Sequence, residues 1–376
     1  MRGIVKNCIG FLKGEAVLCA AAALALFSCF FVPPSLAYFS YIDWDSLALL
    51  FSLMAVMKGF QKAGVFLYLG GRILKRAAYS RSVMLILVFL PFIFSMFITN
   101  DVALITFVPF GLIVLKMAGM EKWAVRLVVL QTAAANLGSM LTPMGNPQNL
   151  YLYAVSGMGF FEFCLLMLPY VLLSGGCLAL MAALGKRAPV VEVDVPFELG
   201  SRKTLVFCSL GFAICLLGIF NILPPVAIAA AVAVFLIFAD REVLVGVDYS
   251  LLGTFIAFFI FIGNLGCIEG FRNFLAELLA GHVRLVAVLA SQIMSNVPAA
   301  LLLSGFTEQW SELIIGCNLG GLGTLIASMA SLISYREIAR ELPLQKGRYF
   351  ALFTVSNILF VTVLMGCLLY TSPSPR

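Results

Sequence analysis

The apolar run between residues 82 and 118 is broken once, at Thr99-Asn100-Asp101, with apolar arms on either side. A carboxylate at membrane depth costs roughly 2.5 to 3.5 kcal/mol on insertion scales, so Asp101 needs partners or water. A hairpin tip inside protein provides both, because its turn exposes backbone N–H and C=O groups. A second run, 284–304, breaks at Ser295-Asn296 and continues with Pro298, which cannot extend a helix ladder. The plainer alternative in each case is two helices joined by a surface loop.

Each break is followed by a second kind of interruption. Asn136, Gly138 and Ser139 lead into Thr142-Pro143-Met144-Gly145-Asn146-Pro147-Gln148-Asn149, with apolar residues on both flanks. So many prolines, glycines and amides cannot form a lipid-facing helix, and irregular backbone is tolerated at that depth only where it lines a cavity. The later counterpart, Asn318 through Ser328, contains Gly320, Gly321, Gly323 and Thr324 and can unwind at little cost. Helix N-termini at such breaks present N–H groups to an anion, and freed carbonyls and side-chain oxygens suit a cation. Small residues also serve helix packing, so the three glycines individually fit either role.

The elements that would hold these residues are membrane helices. The chain has 376 residues, 62% of them hydrophobic and 11% charged, too apolar for a soluble domain of this size. Apolar runs fall near 14–32, 46–70, 82–98, 101–118, 124–153, 160–184, 204–221, 224–239, 248–266, 284–304, 311–334 and 349–370. A bilayer core of about 30 Å needs about 20 residues of helix. The alternation of barrel strands is missing. The ten cysteines form no Cys-x-x-Cys pair, and His282 stands alone, so no metal site is expected.

An internal repeat joins the two halves. The stretch from Ile42 (IDWDSLALLF) matches that from Val247 (VDYSLLGTFI), SMFITNDVALITFVP from Ser95 matches SQIMSNVPAALLLSG from Ser291, and NLGSMLTPMGNPQNL from Asn136 matches NLGGLGTLIASMASL from Asn318. Asp43 and Asp248 are expected to mark span ends rather than ion sites. With a cytoplasmic N-terminus and both broken runs dipping in and out on one side, 21 of the 24 Lys and Arg become cytoplasmic, as the positive-inside rule requires. The two halves are then inverted relative to each other.

The expected fold is therefore an all-α polytopic membrane protein of two inverted-topology repeats, each with a re-entrant hairpin and an interrupted transmembrane helix. Residues 1–184 form the first repeat (hairpin 82–118, interrupted helix 124–153) and 185–203 a cytoplasmic linker. Residues 204–370 form the second repeat (hairpin 284–304, interrupted helix 311–334). The polar tail 371–376 reads as a terminal scar or truncation.

The blocks ITNDVALITFVP, NLGSMLTPMGNPQN, SQIMSNVPAALLLSGFT and NLGGLGTLIASMASLISY resemble the ion transporter superfamily, which includes sodium-coupled dicarboxylate symporters, citrate–metal carriers, arsenite permeases and some sodium–proton antiporters. The resemblance covers almost the whole chain. It implies that two hairpins and two interrupted helices meet around substrate. In the dicarboxylate branch a Ser-Asn-Thr tip on each hairpin contacts a carboxylate, with sodium ions beside the tips. Here Thr99-Asn100-Asp101 and Ser295-Asn296-Val297 occupy those positions. Both asparagines are kept and the third-position threonine is kept in neither. Asp101 suits a proton or sodium site, or a substrate arriving with a cation, better than a bare dianion.

The expected activity is secondary active transport of a small anion, a carboxylate such as citrate, coupled to Na⁺ or H⁺ near Asp101, Asn100 and Asn146. Arsenite efflux and Na⁺/H⁺ exchange are the alternatives within the fold. A passive channel is the alternative outside it, and an intramembrane enzyme lacks a reactive constellation. No cofactor beyond the coupling ion is expected. The expected partners are a small inorganic or organic ion, the bilayer and, left open, a second copy of the chain as a homodimer, with no nucleic acid. The expected location is the plasma (inner) membrane. The reading requires Asn100 and Asn296 to share one pocket.

Overall fold

In a computed structural model of the protein, residues 15–185, 187–190 and 198–369 are described. Arg2, Lys6, Cys8, Lys13, Lys186, residues 191–197 of the central linker, Tyr370 and the tail 371–376 lie outside them. Among the described residues there are nineteen α-helices and no strand beyond an isolated bridge between Tyr79 and Pro189.

The first half runs α1 Ala16–Ser28, α2 Tyr38–Tyr41, α3 Trp44–Lys62, α4 Val65–Leu74, α5 Ser80–Phe94, α6 Asn100–Met117, α7 Ala124–Gly138, α8 Pro147–Ser156 and α9 Phe160–Ala183. The second runs α10 Arg202–Ile219, α11 Pro225–Ala239, α12 Arg241–Val245, α13 Tyr249–Gly266, α14 Glu269–Leu279 and α15 Val283–Met294. It ends with α16 Asn296–Ser304, α17 Trp310–Gly320, α18 Met329–Glu341 and α19 Lys346–Leu369. Five of these are long and apolar enough to cross a membrane, or up to seven if each of two bent pairs is one span.

Local chemistry explains the boundaries. Asp43 and Asp248 cap α3 and α13 by accepting from Ser46 N and Leu251 N, which is the span-end role expected of them. The run 46–70 is not one helix. Gly64 adopts φ +69°, and α3 and α4 bend by 54° around it. The segment 269–279, which carries no long apolar run, forms α14 and turns 114° into α15.

The surface pattern is the reverse of a soluble protein's. Leu165, Leu172 and Leu180 on α9 and Val226, Val234 and Phe238 on α11 are exposed, whereas Asn100, Asn136, Asn149, Asn296 and Asn318 are buried. Lipid tails can cover exposed leucines but cannot satisfy amides, so the polar groups turn inward. This multi-pass arrangement matches the composition.

Packing follows the same scheme in both halves. The arm α5 lies on α7, and α15 lies on α17. Elements then cross over: α1 packs on α13 and α11 on α3, while α18 packs on α6 and α7 and α8 packs on α16 and α17. The bidentate Arg284–Glu312 pair, both contacts at 2.8 Å, ties the start of α15 to α17.

Candidate functional site

Two glutamines fix the frame. Gln131 on α7 donates to Leu87 O at 2.9 Å and to Phe107 O at 3.0 Å, so one side chain holds both arms of the α5–α6 hairpin. On the other side, Gln292 donates to Gly320 O and Leu322 O, each at 2.9 Å, and accepts from Thr324 N at 2.9 Å. Neither was singled out from sequence. The one available signal was an amide among apolar residues in each helix.

The breaks are held open by close backbone approach. A Cβ on Gly138 would lie 1.9 Å from Phe92 O, and one on Gly145 would lie 2.3 Å from Ser139 O. Thr142 donates its hydroxyl to Met96 O, locking the break after α7 against the first hairpin turn. In the second half, Gly320 abuts Ser291 and Gly321 abuts the Asn296 amide.

Asparagines connect the halves. Asp101 N donates to Asn100 Oδ1 at 3.0 Å, which fixes that amide and turns Asn100 Nδ2 toward Asn136 Oδ1 at 2.9 Å. Ser328 Oγ donates to the same Asn136 Oδ1 at 3.1 Å. Next to Ser328, Ala327 O accepts from Asn296 N at 2.9 Å. Thus Asn100 and Asn296 are linked through three residues, Asn136, Ser328 and Ala327. A second bridge runs from Asn318 Nδ2 to Asn149 Oδ1 at 2.7 Å, with Asn149 Nδ2 donating to Ser139 O at 3.2 Å.

Several polar atoms here have no partner among the described residues. Asn136 Nδ2, Asn318 Oδ1 and both amide atoms of Gln148 are buried and unbonded. Leaving a buried polar group unmet costs about 1 to 3 kcal/mol, and such groups are free to hold a ligand. Asn136 and Asn318, the matched positions, thus offer opposite chemistry, a donor and an acceptor.

The helix N-termini tell the same story. Asp43, Ser201, Asp240 and Asp248 each cap their helix with a side-chain oxygen. Thr99, Asn146, Ser295 and Ser328, which begin α6, α8, α16 and α18, do not. Their side chains are of the type that favours capping, yet none of the four caps its own helix, although Asp101 N in α6 is taken by Asn100 Oδ1 and Asn296 N in α16 by Ala327 O. No Lys or Arg belongs to this cluster.

Not every expected residue joins it. Gly323 and Thr324 line a different cavity, of about 370 Å³, against α19. The Asp101 carboxylate is half-buried and makes no hydrogen bond or ion pair among the described residues. Asn146 is buried, and its amide has no partner among them.

Ser295 sits at φ +76°, ψ 155°, a region almost confined to glycine and costing about 1 to 3 kcal/mol. Ser295→Gly should therefore unfold in detergent no earlier than wild type, since glycine's own entropy cost is only about 0.5 to 1 kcal/mol. Ser295→Ala keeps the strain, loses the hydroxyl bonds and should unfold earlier. A glycine variant less stable than the alanine one would show that the backbone is unstrained.

A sequence profile of the family described as "Citrate transporter" matches residues 12–308. The chain belongs to the citrate transporter family. An uncharacterized transporter of Methanocaldococcus jannaschii is 34% identical over 333 residues, covering 87% of this chain and 90% of that one. Inner membrane protein YbiR of Escherichia coli is 31% identical over 318 residues, 82% of this chain and 83% of its own length. A shorter match, 33% identical over 144 residues and 38% of this chain, is to the silicon efflux transporter LSI3 of Oryza sativa, 29% of which is covered. This citrate transporter family member is thus a membrane transporter of the ion transporter superfamily and not an enzyme.

Proposed function

We propose that the chain is a secondary active transporter of a small organic anion of the citrate type, driven by Na⁺ or H⁺. The observation that carries this reading is the set of four helix N-termini, at α6, α8, α16 and α18, whose own N-cap side chains leave them uncapped, joined by the asparagine bridges. Their N–H groups, with Asn136 Nδ2, would receive carboxylate oxygens. Asn318 Oδ1, Gln148 Oε1 and carbonyls at the ends of α7 and α17 would hold the coupling cation, with Asp101 as the charge that titrates or pairs with it. The crossed packing supports two inverted repeats that move against each other around this site.

A second reading, efflux of a neutral oxyacid such as arsenite or silicic acid, is favoured by the lack of any Lys or Arg in the cluster and by the name of the rice relative. Reconstitution into liposomes separates the two. Labelled citrate, succinate, arsenite and silicic acid are offered under imposed Na⁺ or H⁺ gradients. Gradient-driven citrate or succinate uptake supports the first reading, and movement of the neutral acids alone overturns it. Asp101→Asn should abolish the gradient dependence while leaving counterflow exchange of substrate measurable. Full gradient dependence in that variant would remove Asp101 from coupling.

A further inference from the structure

A cavity lined by basic and apolar side chains lies away from the asparagines. It has a volume of about 440 Å³ and is enclosed by the starts of α7 and α19 and the end of α9. Lys122, Arg126 and Arg348 line it, and among the described residues none of the three is in an ion pair. The neighbouring acid, Glu121, is exposed and pairs with none of them. Arg126 is held in place: its guanidinium lies over the Trp123 ring, 5.1 Å from the centroid, and one nitrogen donates to Met181 O in the last turn of α9. A planar guanidinium carries five N–H donors, so this anchoring leaves others for a ligand.

The rest of the wall is apolar apart from Ser356 on α19. Val129 and Leu130 follow Arg126 on α7, and Leu352 lies one turn beyond Arg348 on α19. Leu352, Val355 and Leu359 are themselves exposed on the lipid-facing side of α19. A cavity that sets three cations beside apolar side chains, next to the exposed apolar face of α19, suits a phospholipid better than a soluble ion. Basic pockets between transmembrane helices are suited to anionic head groups.

We propose that this cavity binds one anionic phospholipid of the surrounding membrane, with its phosphate on Lys122, Arg126 and Arg348 and its acyl chain along Val129 and Leu352. The bound lipid joins α7, which carries Asn136 at its far end, to α9 and α19. This reading does not depend on which substrate is carried.

Trp123 lies at the cavity and reports occupancy. The full chain with Trp44→Phe and Trp310→Phe is placed in phosphatidylcholine bilayers containing increasing brominated phosphatidylglycerol or, in parallel, brominated phosphatidylcholine. Brominated phosphatidylglycerol should quench Trp123 at a several-fold lower mole fraction. Lys122→Gln with Arg348→Gln should raise its half-quenching fraction about thirtyfold, given roughly 1 kcal/mol for each of the two basic residues near an anionic surface. Arg348→Gln alone serves if the double variant does not fold. Inorganic phosphate at millimolar concentration should leave the quenching unchanged. Equal quenching by both lipids, or a preference untouched by the substitutions, overturns the proposal. Displacement by inorganic phosphate also overturns it, assigning the cavity to a soluble anion. Native mass spectrometry of the otherwise unaltered chain should retain one phosphatidylglycerol and lose it with Lys122→Gln and Arg348→Gln.

Discussion

Asn136→Asp is expected to fold like wild type and to lose at least about 100-fold in anion transport. The substitution is isosteric. A carboxylate oxygen can still accept from Asn100 Nδ2 and Ser328 Oγ, the two bonds that Asn136 Oδ1 makes now. What changes is the second atom, where an unpartnered buried N–H donor becomes an oxygen. An anion that accepts a hydrogen bond there would meet a like charge instead. Interhelical hydrogen bonds in membranes average about 0.6 kcal/mol and reach about 1.7. A 100-fold loss corresponds to about 2.7 kcal/mol, more than disturbed packing at one such bond explains. The comparison is made in proteoliposomes matched for protein content, with thermal unfolding measured in parallel. Asn136→Ala, which breaks both bonds, should lose transport and some stability together. Near-normal citrate and succinate uptake by Asn136→Asp would remove this amide from the anion site. If the carried species is instead a neutral acid or a cation, the aspartate variant should retain transport or bind the cation more tightly, so the outcome also discriminates between readings.

The breaks were legible because they are local events. Asn100 and Asn296 stand out as polar residues between apolar arms, and the Pro-Gly-amide block 142–149 cannot carry the preceding helix through unbroken. Asp43 and Asp248 were readable for the same reason, an acid immediately before an apolar run. What escaped depends on distant partners. The acceptors of Gln131 are carbonyls 44 and 24 residues away, and those of Gln292 include ones 28 and 30 residues away. Nothing near either glutamine in sequence announces them. The pairing of Asn149 with Asn318, 169 residues apart, could be guessed as proximity but not as a bond. Glycine spacing does not fix direction either, so Gly323 and Thr324 were grouped with their neighbours although they face α19. Helix α14 was passed over because its apolar residues, Phe274 and Leu278 among them, alternate with charges and never form a run.

The matched glycines give a sharp test of how the hairpins dock. Gly138 and Gly320 occupy equivalent places in the NLG blocks, and each lies where a hairpin's first arm crosses an interrupted helix. Gly138→Ala should prevent assembly, because the added Cβ would fall 1.9 Å from Phe92 O and 2.7 Å from its carbonyl carbon. Those are backbone atoms of α5, held by helix hydrogen bonds and by Gln131, and no rotamer change relieves the clash. Overpacking in a well-filled core typically costs about 1 to 3 kcal/mol, and more where backbone must shift. Gly320→Ala meets a different obstacle, Ser291 Oγ at 2.5 Å and its Cβ at 2.6 Å, with the nearest backbone atom, Ala287 O, at 3.2 Å. That clash is with a side chain and can be removed. Ser291→Gly combined with Gly320→Ala should restore a monodisperse, cooperatively unfolding protein, whereas no side-chain truncation on α5 should rescue Gly138→Ala. Size-exclusion profile and thermal unfolding in detergent read both cases without knowledge of the substrate. Wild-type behaviour of Gly138→Ala would mean that α5 does not rest on α7 as described, and the first hairpin turn would then lose the support that places Asn100 beside Asn136.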